Sequence, residues 1–238
     1  MRDAVTSHAD PSVKSAAYSG TRDRVEAYFD RTATAVWARL TSDAPVSRIR
    51  ATVRAGRDEM RAKLLAALPA DLHGKRVLDA GCGTGMVTAI LAERGAKVVA
   101  ADISPSLIEI AKARLPRELR PRVSFVAGDM LRDALGRFDH VIAMDSLIYY
   151  ETGDIRNAMG TLAARTTGSI VFTVAPRTTA LMAMWYAGKA FPRADRSPTM
   201  IPQAPMRLSR ALEGVGQVRD LGRVSRGFYI SHALEVTP

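Results

Sequence analysis

The sequence predicts an α/β fold, a seven-stranded, mostly parallel, doubly wound sheet that ends in an antiparallel hairpin. Three observations carry this. A glycine loop, "LDAGCGTG" from Leu78 to Gly85, follows a short apolar run, and a second acid, Asp102, comes about one βαβ unit later. Short apolar runs then alternate with helical segments, as in a parallel sheet covered on both faces. Finally, "QVRDLGRVS" and "GFYISHALEV" read as two strands joined by a turn at Arg226–Gly227.

Residues 1–20 read as a mobile tail. From Asp23, apolar residues recur at helical spacing (Val25, Tyr28, Phe29, Val36, Trp37, Leu40) until a break around Pro45. The stretch "IRATVRAGRDEMRAKLLAALP" predicts a second helix. It has Val53, Met60, Leu64 and Leu68 on one side, and Pro69 ends it. Residues 21–72 are therefore expected to be N-terminal helices covering a site formed by a core over 73–238. In that core "RVLDAG" is a buried strand. "MVTAILAER" is a helix closed by Gly95 at C′. "KVVAAD" is the next strand, and Ser104 with Pro105 starts the next helix. "VSFVAGD", "HVIAMD" and "GSIVFTV" complete the five parallel strands. The stretch 176–205 fits neither element. It carries five prolines around "ALMAMWYAGKAF" and is placed as a lid inserted before the hairpin.

The chain has 238 residues, 47% of them hydrophobic, enough for one α/β core with additions. Lysine and arginine outnumber acids by 34 to 24, and the net charge of +10 favours anionic partners. The single cysteine, Cys82, excludes an internal disulfide and fits a reducing compartment. His8, His73, His140 and His232 lack metal-ligand spacing, so no protein-bound metal is expected. The first residues have no apolar signal segment, and no apolar run reaches the ~18 residues of a membrane span. A cytoplasmic protein is expected.

The loop reads D-A-G-C-G-T-G from Asp79 to Gly85. Glycines let the backbone turn and let a ligand come close. The dinucleotide fingerprint G-x-G-x-x-G is not met, because the third glycine comes one residue early and Met86 takes its place. Asp79, opening the loop, suits a ligand with an amino group and a positive centre. These residues resemble the first motif of class I S-adenosylmethionine-dependent methyltransferases, whose fold is a seven-stranded sheet with a terminal antiparallel hairpin. The resemblance implies S-adenosylmethionine as cofactor. Asp79, Gly81, Cys82, Gly83 and Gly85 would border its methionine part. Asp102, followed by Ile103, would accept both ribose hydroxyls. Gly128, Asp129 and Met130 would flank the adenine, and Asp145 and Ser146 would follow strand four. A glycine turn that only packs helix on strand, and nicotinamide dinucleotide binding, are the alternatives. Cys82 reads as small filler rather than nucleophile.

The segment after strand four reads "MDSLIYYE", with no Asn/Asp-Pro-Pro-Tyr/Phe signature for an exocyclic amine, so O- or C-methylation is expected. "VEAYFDRTATAVWARL", "MDSLIYY" and "RGFYISHALEV" resemble the magnesium-protoporphyrin IX O-methyltransferase family of (bacterio)chlorophyll synthesis. Tyr28, Phe29, Thr32 and Trp37 match its N-terminal pattern, and Leu147, Ile148 and Tyr150 match the segment after strand four. Tyr149 stands where that family commonly has histidine. The resemblance implies methyl transfer to a propionate of the porphyrin, with magnesium only in that substrate, and delivery from a magnesium chelatase. The acceptor carboxylate has an ordinary pKa of about 4.3 and needs no strong base at neutral pH. Tyrosine hydroxyls can orient it, and Tyr28 and then Tyr149 are the expected catalytic residues. In and beside the lid, Arg177, Lys189, Arg193, Arg196 or Arg207 would hold the second propionate. Met182, Met184, Trp185 and Phe191 would cover the ring. The lid also has the composition of an interfacial segment, which would rest on the surface of the photosynthetic membrane. A quinone-precursor methyltransferase would share the core. An RNA-binding protein would use the +10 charge, but no aromatic platform with basic interleaving accompanies it, so no nucleic-acid partner is expected.

Overall fold

The computed structural model describes residues 16–30, 34–41, 45, 47–179, 181–182 and 198–238, the side chain of Val36 excepted. Three helices come first: α1 (Ala16–Tyr28), α2 (Thr34–Leu40) and α3 (Arg48–Ala66). The core follows as β1 (Arg76–Ala80), α4 (Met86–Glu93), β2 (Lys97–Asp102), α5 (Pro105–Arg114), β3 (Val123–Ala127) and β4 (His140–Ala143). It continues with α6 (Thr152–Ala163), β5 (Ile170–Val174), α7 (Pro205–Leu212), β6 (Gln217–Arg226) and β7 (Tyr229–Thr237).

The sheet order is β3-β2-β1-β4-β5-β7-β6. Strands β1 to β5 pair in parallel, and β7 runs antiparallel to both β5 and β6. This is the seven-stranded sheet with a terminal hairpin that the residue pattern predicts. Alternate residues of each strand face opposite sides. Leu78, Val141, Ile170 and Phe172 enter a core shared with Ile155, Met159 and Leu162 of α6 and Leu208 and Leu212 of α7. Val77, Val98, Ile142 and Val171 enter the other, with Met60 and Leu64 of α3 and Leu91 of α4. Burial on both faces is why these strands read as continuous apolar runs.

Local signals act as their chemistry requires. The Ser104 hydroxyl accepts the Leu107 N–H at 3.2 Å, and Pro105 opens α5. Gly95, at φ 91°, follows α4 where a β-carbon would lie 2.6 Å from the His73 ring.

The structure departs from the sequence reading at the N-terminus. Helix α1 begins at Ala16, inside the stretch assigned to the tail. Tyr18 is the physical reason: it is buried, stacks on Tyr150 at 4.9 Å between ring centroids and donates to Asp129. A contact spanning 111 positions leaves no periodic mark in the local sequence. The ends of the insertion are pinned together, with Pro176 bridging to Gln203 and the Gln203 amide donating to Tyr150 O at 3.0 Å. Lys189, Arg193, Arg196, Met184, Trp185 and Phe191 lie outside the described residues, as does Thr32.

Candidate active site

Strand order reverses on the two sides of β1, and open α/β sheets bind ligands outside the carboxyl ends of the strands at such a point. Asp79 and Ala80 end β1, Asp102 ends β2, and Gly128 and Asp145 follow β3 and β4 closely. A cavity of about 990 Å³, counted to its open mouth, lies over these ends, and α1, α2 and α3 supply the facing wall.

Gly81, Gly83 and Gly85 all have positive φ (81°, 54° and 83°), which glycine adopts without steric cost. A β-carbon at Gly81 would sit 2.4 Å from the Ser146 β-carbon, so Gly81 also allows the β4 loop to close on the β1 loop. Asp79 is buried and accepts the Thr88 hydroxyl at 2.6 Å. Asp102 accepts the Gly83 N–H at 2.8 Å on one oxygen and the Ser104 N–H at 2.9 Å on the other. Each oxygen keeps a lone pair for a ligand hydroxyl. Asp129 takes the Leu131 N–H at 2.8 Å and the Tyr18 hydroxyl at 3.1 Å, with Arg22 3.6 Å away.

Asp145 is the one non-glycine described residue with positive φ, at 57°. Its buried carboxylate accepts from Arg57, from the Tyr229 hydroxyl at 3.0 Å, from the Thr173 hydroxyl at 3.1 Å and from Ser231 at 3.5 Å. The neighbouring Ser146 hydroxyl is buried and finds no partner among the described residues.

The facing wall is tied down by hydrogen bonds. Arg114 of α5 donates to the Ala38 and Thr41 carbonyls at the end of α2, where carbonyls have no partner within the helix. Thr84 of the loop donates to the Thr41 hydroxyl at 2.9 Å. Asp30 accepts from Ser104. Phe29 meets Trp37 and Tyr149 edge-on.

Burial without a cationic partner pushes Asp79 up to about 7 and Asp102 up to about 6. This end of the cavity therefore suits a ligand that brings its own positive charge. Burial also pushes the Cys82 thiol up, with Asp102 and Asp79 adding to the effect. A protonated buried thiol is no nucleophile at neutral pH. Tyr149 lines the cavity and is held protonated by burial first, then by Asp145. It is a hydrogen-bond donor and not a base.

S-adenosylmethionine fits these residues. Its ammonium and sulfonium suit the acidic end, its ribose diol suits the free lone pairs of Asp102, and the Ser146 hydroxyl is free to meet a polar group. Among the described residues no group of three or more His, Cys, Asp or Glu side chains gathers as a metal site, and no helix is long and apolar enough to cross a membrane.

Comparison with known proteins agrees with this geometry. Residues 77–167 match the family model described as a methyltransferase domain, and residues 143–238 match that of the magnesium-protoporphyrin IX methyltransferase C-terminus. The chain is 59% identical to the magnesium-protoporphyrin O-methyltransferase of Rhodobacter capsulatus, over 93% of this chain and 98% of that one. The chain belongs to the magnesium-protoporphyrin O-methyltransferase family. It is 30% identical to the chloroplastic magnesium protoporphyrin IX methyltransferase of Arabidopsis thaliana, over 92% of this chain and 72% of that one. Among solved structures it resembles the magnesium protoporphyrin IX methyltransferase of Synechocystis PCC 6803 with bound SAH. The TM-score is 0.75 at 28% identity, covering 90% of this chain and 98% of that one.

Of the residues singled out in sequence, Asp79, Gly81, Cys82, Gly83, Asp102, Ile103, Gly128, Asp129, Met130, Asp145, Ser146 and Tyr149 all line the cavity. Gly85 does not. It turns the chain into α4, and a β-carbon there would lie 3.0 Å from the Ala111 β-carbon. Tyr28 does not line it either. Its ring lies edge-on against Phe29, which takes the place on the wall. Arg177 and Arg207 are exposed and stand off the cavity. Tyr18, Arg22, Arg57 and Arg61 line the cavity and carry no motif. For the two α3 arginines one signal was available: they sit four residues apart beside the apolar stripe of Met60 and Leu64.

Proposed function

We propose that this chain transfers a methyl group from S-adenosylmethionine to a propionate carboxylate of magnesium-protoporphyrin IX. The products are the monomethyl ester and S-adenosylhomocysteine, a step of (bacterio)chlorophyll synthesis. The observation that carries the reading is identity to the Rhodobacter capsulatus protein along almost its whole length, in both the shared core and the flanks.

The cofactor supplies an electrophilic methyl group on a sulfonium sulfur. Everything else falls to the protein. Asp102 orients the ribose with lone pairs left free by its two backbone bonds. Asp79 lines the cavity and would meet the ligand's positive charge. The glycine loop lets the backbone approach within contact distance. Tyr149, protonated and buried, donates to the acceptor oxygen and aims it. Tyr28 stands close enough to bear on the Tyr149 hydroxyl but is not part of the cavity wall. The acceptor is already ionised at neutral pH, so the site needs no general base. It must remove water from the carboxylate and hold oxygen, carbon and sulfur in line. Opposite charges cancel as the methyl moves, and an apolar, closed site favours that step.

Delivery by a magnesium chelatase and attachment at the photosynthetic membrane surface belong to the same reading. The test is transfer of labelled methyl from S-adenosylmethionine to magnesium-protoporphyrin IX, with a quinone precursor and RNA in parallel. Label in the porphyrin, released by base as from an ester, supports the reading. Label in the quinone precursor instead overturns it.

A further inference from the structure

The cavity wall holds two guanidinium groups whose hydrogen-bonding capacity is mostly unused. Arg57 and Arg61 stand four residues apart on α3, one above the other on a single face. Both line the cavity, and their side chains are only 17% and 16% exposed. A guanidinium carries five N–H donors. Among the described residues, Arg57 gives one N–H to Asp145 and lies over the Trp37 ring, 4.7 Å from its centroid. Arg61 gives one to Asp58 at 2.8 Å and turns another toward the Met86 sulfur at 3.8 Å, a weak acceptor.

Burying cations with unused donors is costly unless an anion arrives to meet them. Asp145 does not need all of Arg57, because Tyr229, Thr173 and Ser231 also donate to it. Arg57 can therefore turn part of its fork to a ligand while Asp145 stays hydrogen-bonded. Arginine forks match the planar geometry of a carboxylate. Gly56 makes the placement attainable: a β-carbon there would lie 2.6 Å from Tyr229 Cδ1, so only glycine lets α3 come this close to β7.

We propose that Arg57 and Arg61 form a carboxylate-binding subsite on the α3 wall, with Arg57 shared between Asp145 and the ligand. The inference rests on the proposed reaction, which brings two non-reacting carboxylates to the site. One belongs to the amino-acid end of the methyl donor and the other to the second propionate of the porphyrin. The chemistry is the same for both, and the source is settled by experiment.

Equilibrium titrations of the full chain read this without turnover. One arm compares S-adenosylhomocysteine with its decarboxylated analogue by calorimetry. The other compares magnesium-protoporphyrin IX monomethyl ester with the dimethyl ester by porphyrin fluorescence. The native protein is expected to prefer the carboxylate-bearing member of one pair by roughly tenfold or more, the size of charge-assisted hydrogen bonds. In Arg57→Gln and Arg61→Gln that preference falls by about fivefold or more, and the pair affected names the source. Arg57→Lys keeps a charge for Asp145 if Arg57→Gln does not fold. Unchanged affinity for the ligand lacking the carboxylate shows that a variant retains its site. Native-like preference in every variant for both pairs, or no preference in the native protein for either, overturns the subsite. Failure of the native protein to bind any porphyrin counts against the acceptor reading, and the homocysteine arm then still decides the subsite.

Discussion

Replacing Asp102 with asparagine separates ligand binding from folding at the centre of the site. In the native chain each carboxylate oxygen takes one backbone N–H, from Gly83 and from Ser104. Asparagine keeps the shape but puts an NH₂ where one oxygen stood, so one backbone donor faces another donor. That costs about 1–3 kcal/mol of stability. The same change removes a buried charge. Asp102 is pushed up to about 6 from an ordinary 3.8, and at about 1.4 kcal/mol per unit its ionised form costs the folded state about 3 kcal/mol at neutral pH. The two effects oppose, so the stability of the ligand-free protein changes by less than about 2 kcal/mol. Affinity has no such offset. A hydrogen bond to a charged group contributes about 1.5–3 kcal/mol, and the neutral amide still accepts one ribose hydroxyl. A net loss of about 2–4 kcal/mol follows, or roughly 30- to 1000-fold weaker binding of S-adenosylhomocysteine. Calorimetric titration and thermal unfolding of the same sample give both numbers. Affinity within about threefold of native, with unfolding unchanged, would refute the role of Asp102 in holding the ribose.

Five further outcomes are expected. S-adenosylhomocysteine affinity rises with pH through the window from about 6 to 7, because Asp102 must lose its proton to accept both ribose hydroxyls and Asp79 must lose its proton to meet the ligand's ammonium; calorimetry across that window reads it, and a flat profile rules the pair out. The ligand-free chain loses stability as pH rises from about 4 to 7, since the folded state holds protons on these acids that the unfolded chain releases, as denaturant titration would record. Gly81→Ala abolishes cofactor binding by calorimetry, since a β-carbon at φ 81° would overlap Ser146. Gly56→Ala, which in an open helix would stabilise by about 1 kcal/mol, instead destabilises by about 1–3 kcal/mol in thermal unfolding because it strikes the Tyr229 ring; Tyr149→Phe lowers kcat by roughly tenfold or more with little change in cofactor affinity.

The sheet was legible because its strands are buried on both faces and read as apolar runs, and because single residues mark the boundaries. Gly95 ends α4, Ser104 and Pro105 start α5, and the Arg226–Gly227 turn separates β6 from β7. The strand ends were legible as cavity wall for the same reason: once β1, β2 and β4 are placed, topology puts Asp79, Asp102 and Asp145 together. The facing wall was not. Tyr18 reaches Asp129 across 111 positions, and Arg57 reaches Asp145 across 88. Neither contact follows from helical periodicity, which says which face of α1 or α3 is apolar and nothing about what lies opposite. Tyr28 shows the converse. Its neighbour Phe29 shares its apolar character, and only the direction of each side chain decides which one meets the cavity.

Asp145 shows why the N-terminal helices belong to the site and are more than a cover for it. Its left-handed backbone costs about 1 kcal/mol, and aspartate bears that better than most residues. Something must hold it, and the holders come from three elements: Thr173 from β5, Tyr229 and Ser231 from β7, and Arg57 from α3. Three of the four are neutral hydroxyls. Arg57 is the only one that balances the charge of this buried carboxylate, so undocking α3 would leave a buried anion against hydroxyls alone. The residue after Asp145 is Ser146, whose β-carbon fills the space beside Gly81. The shape of the glycine loop's neighbour therefore depends on α3 being in place. Docking of α3 and the shape of the loop beside the glycine turn are thus linked through Asp145 and its neighbour Ser146.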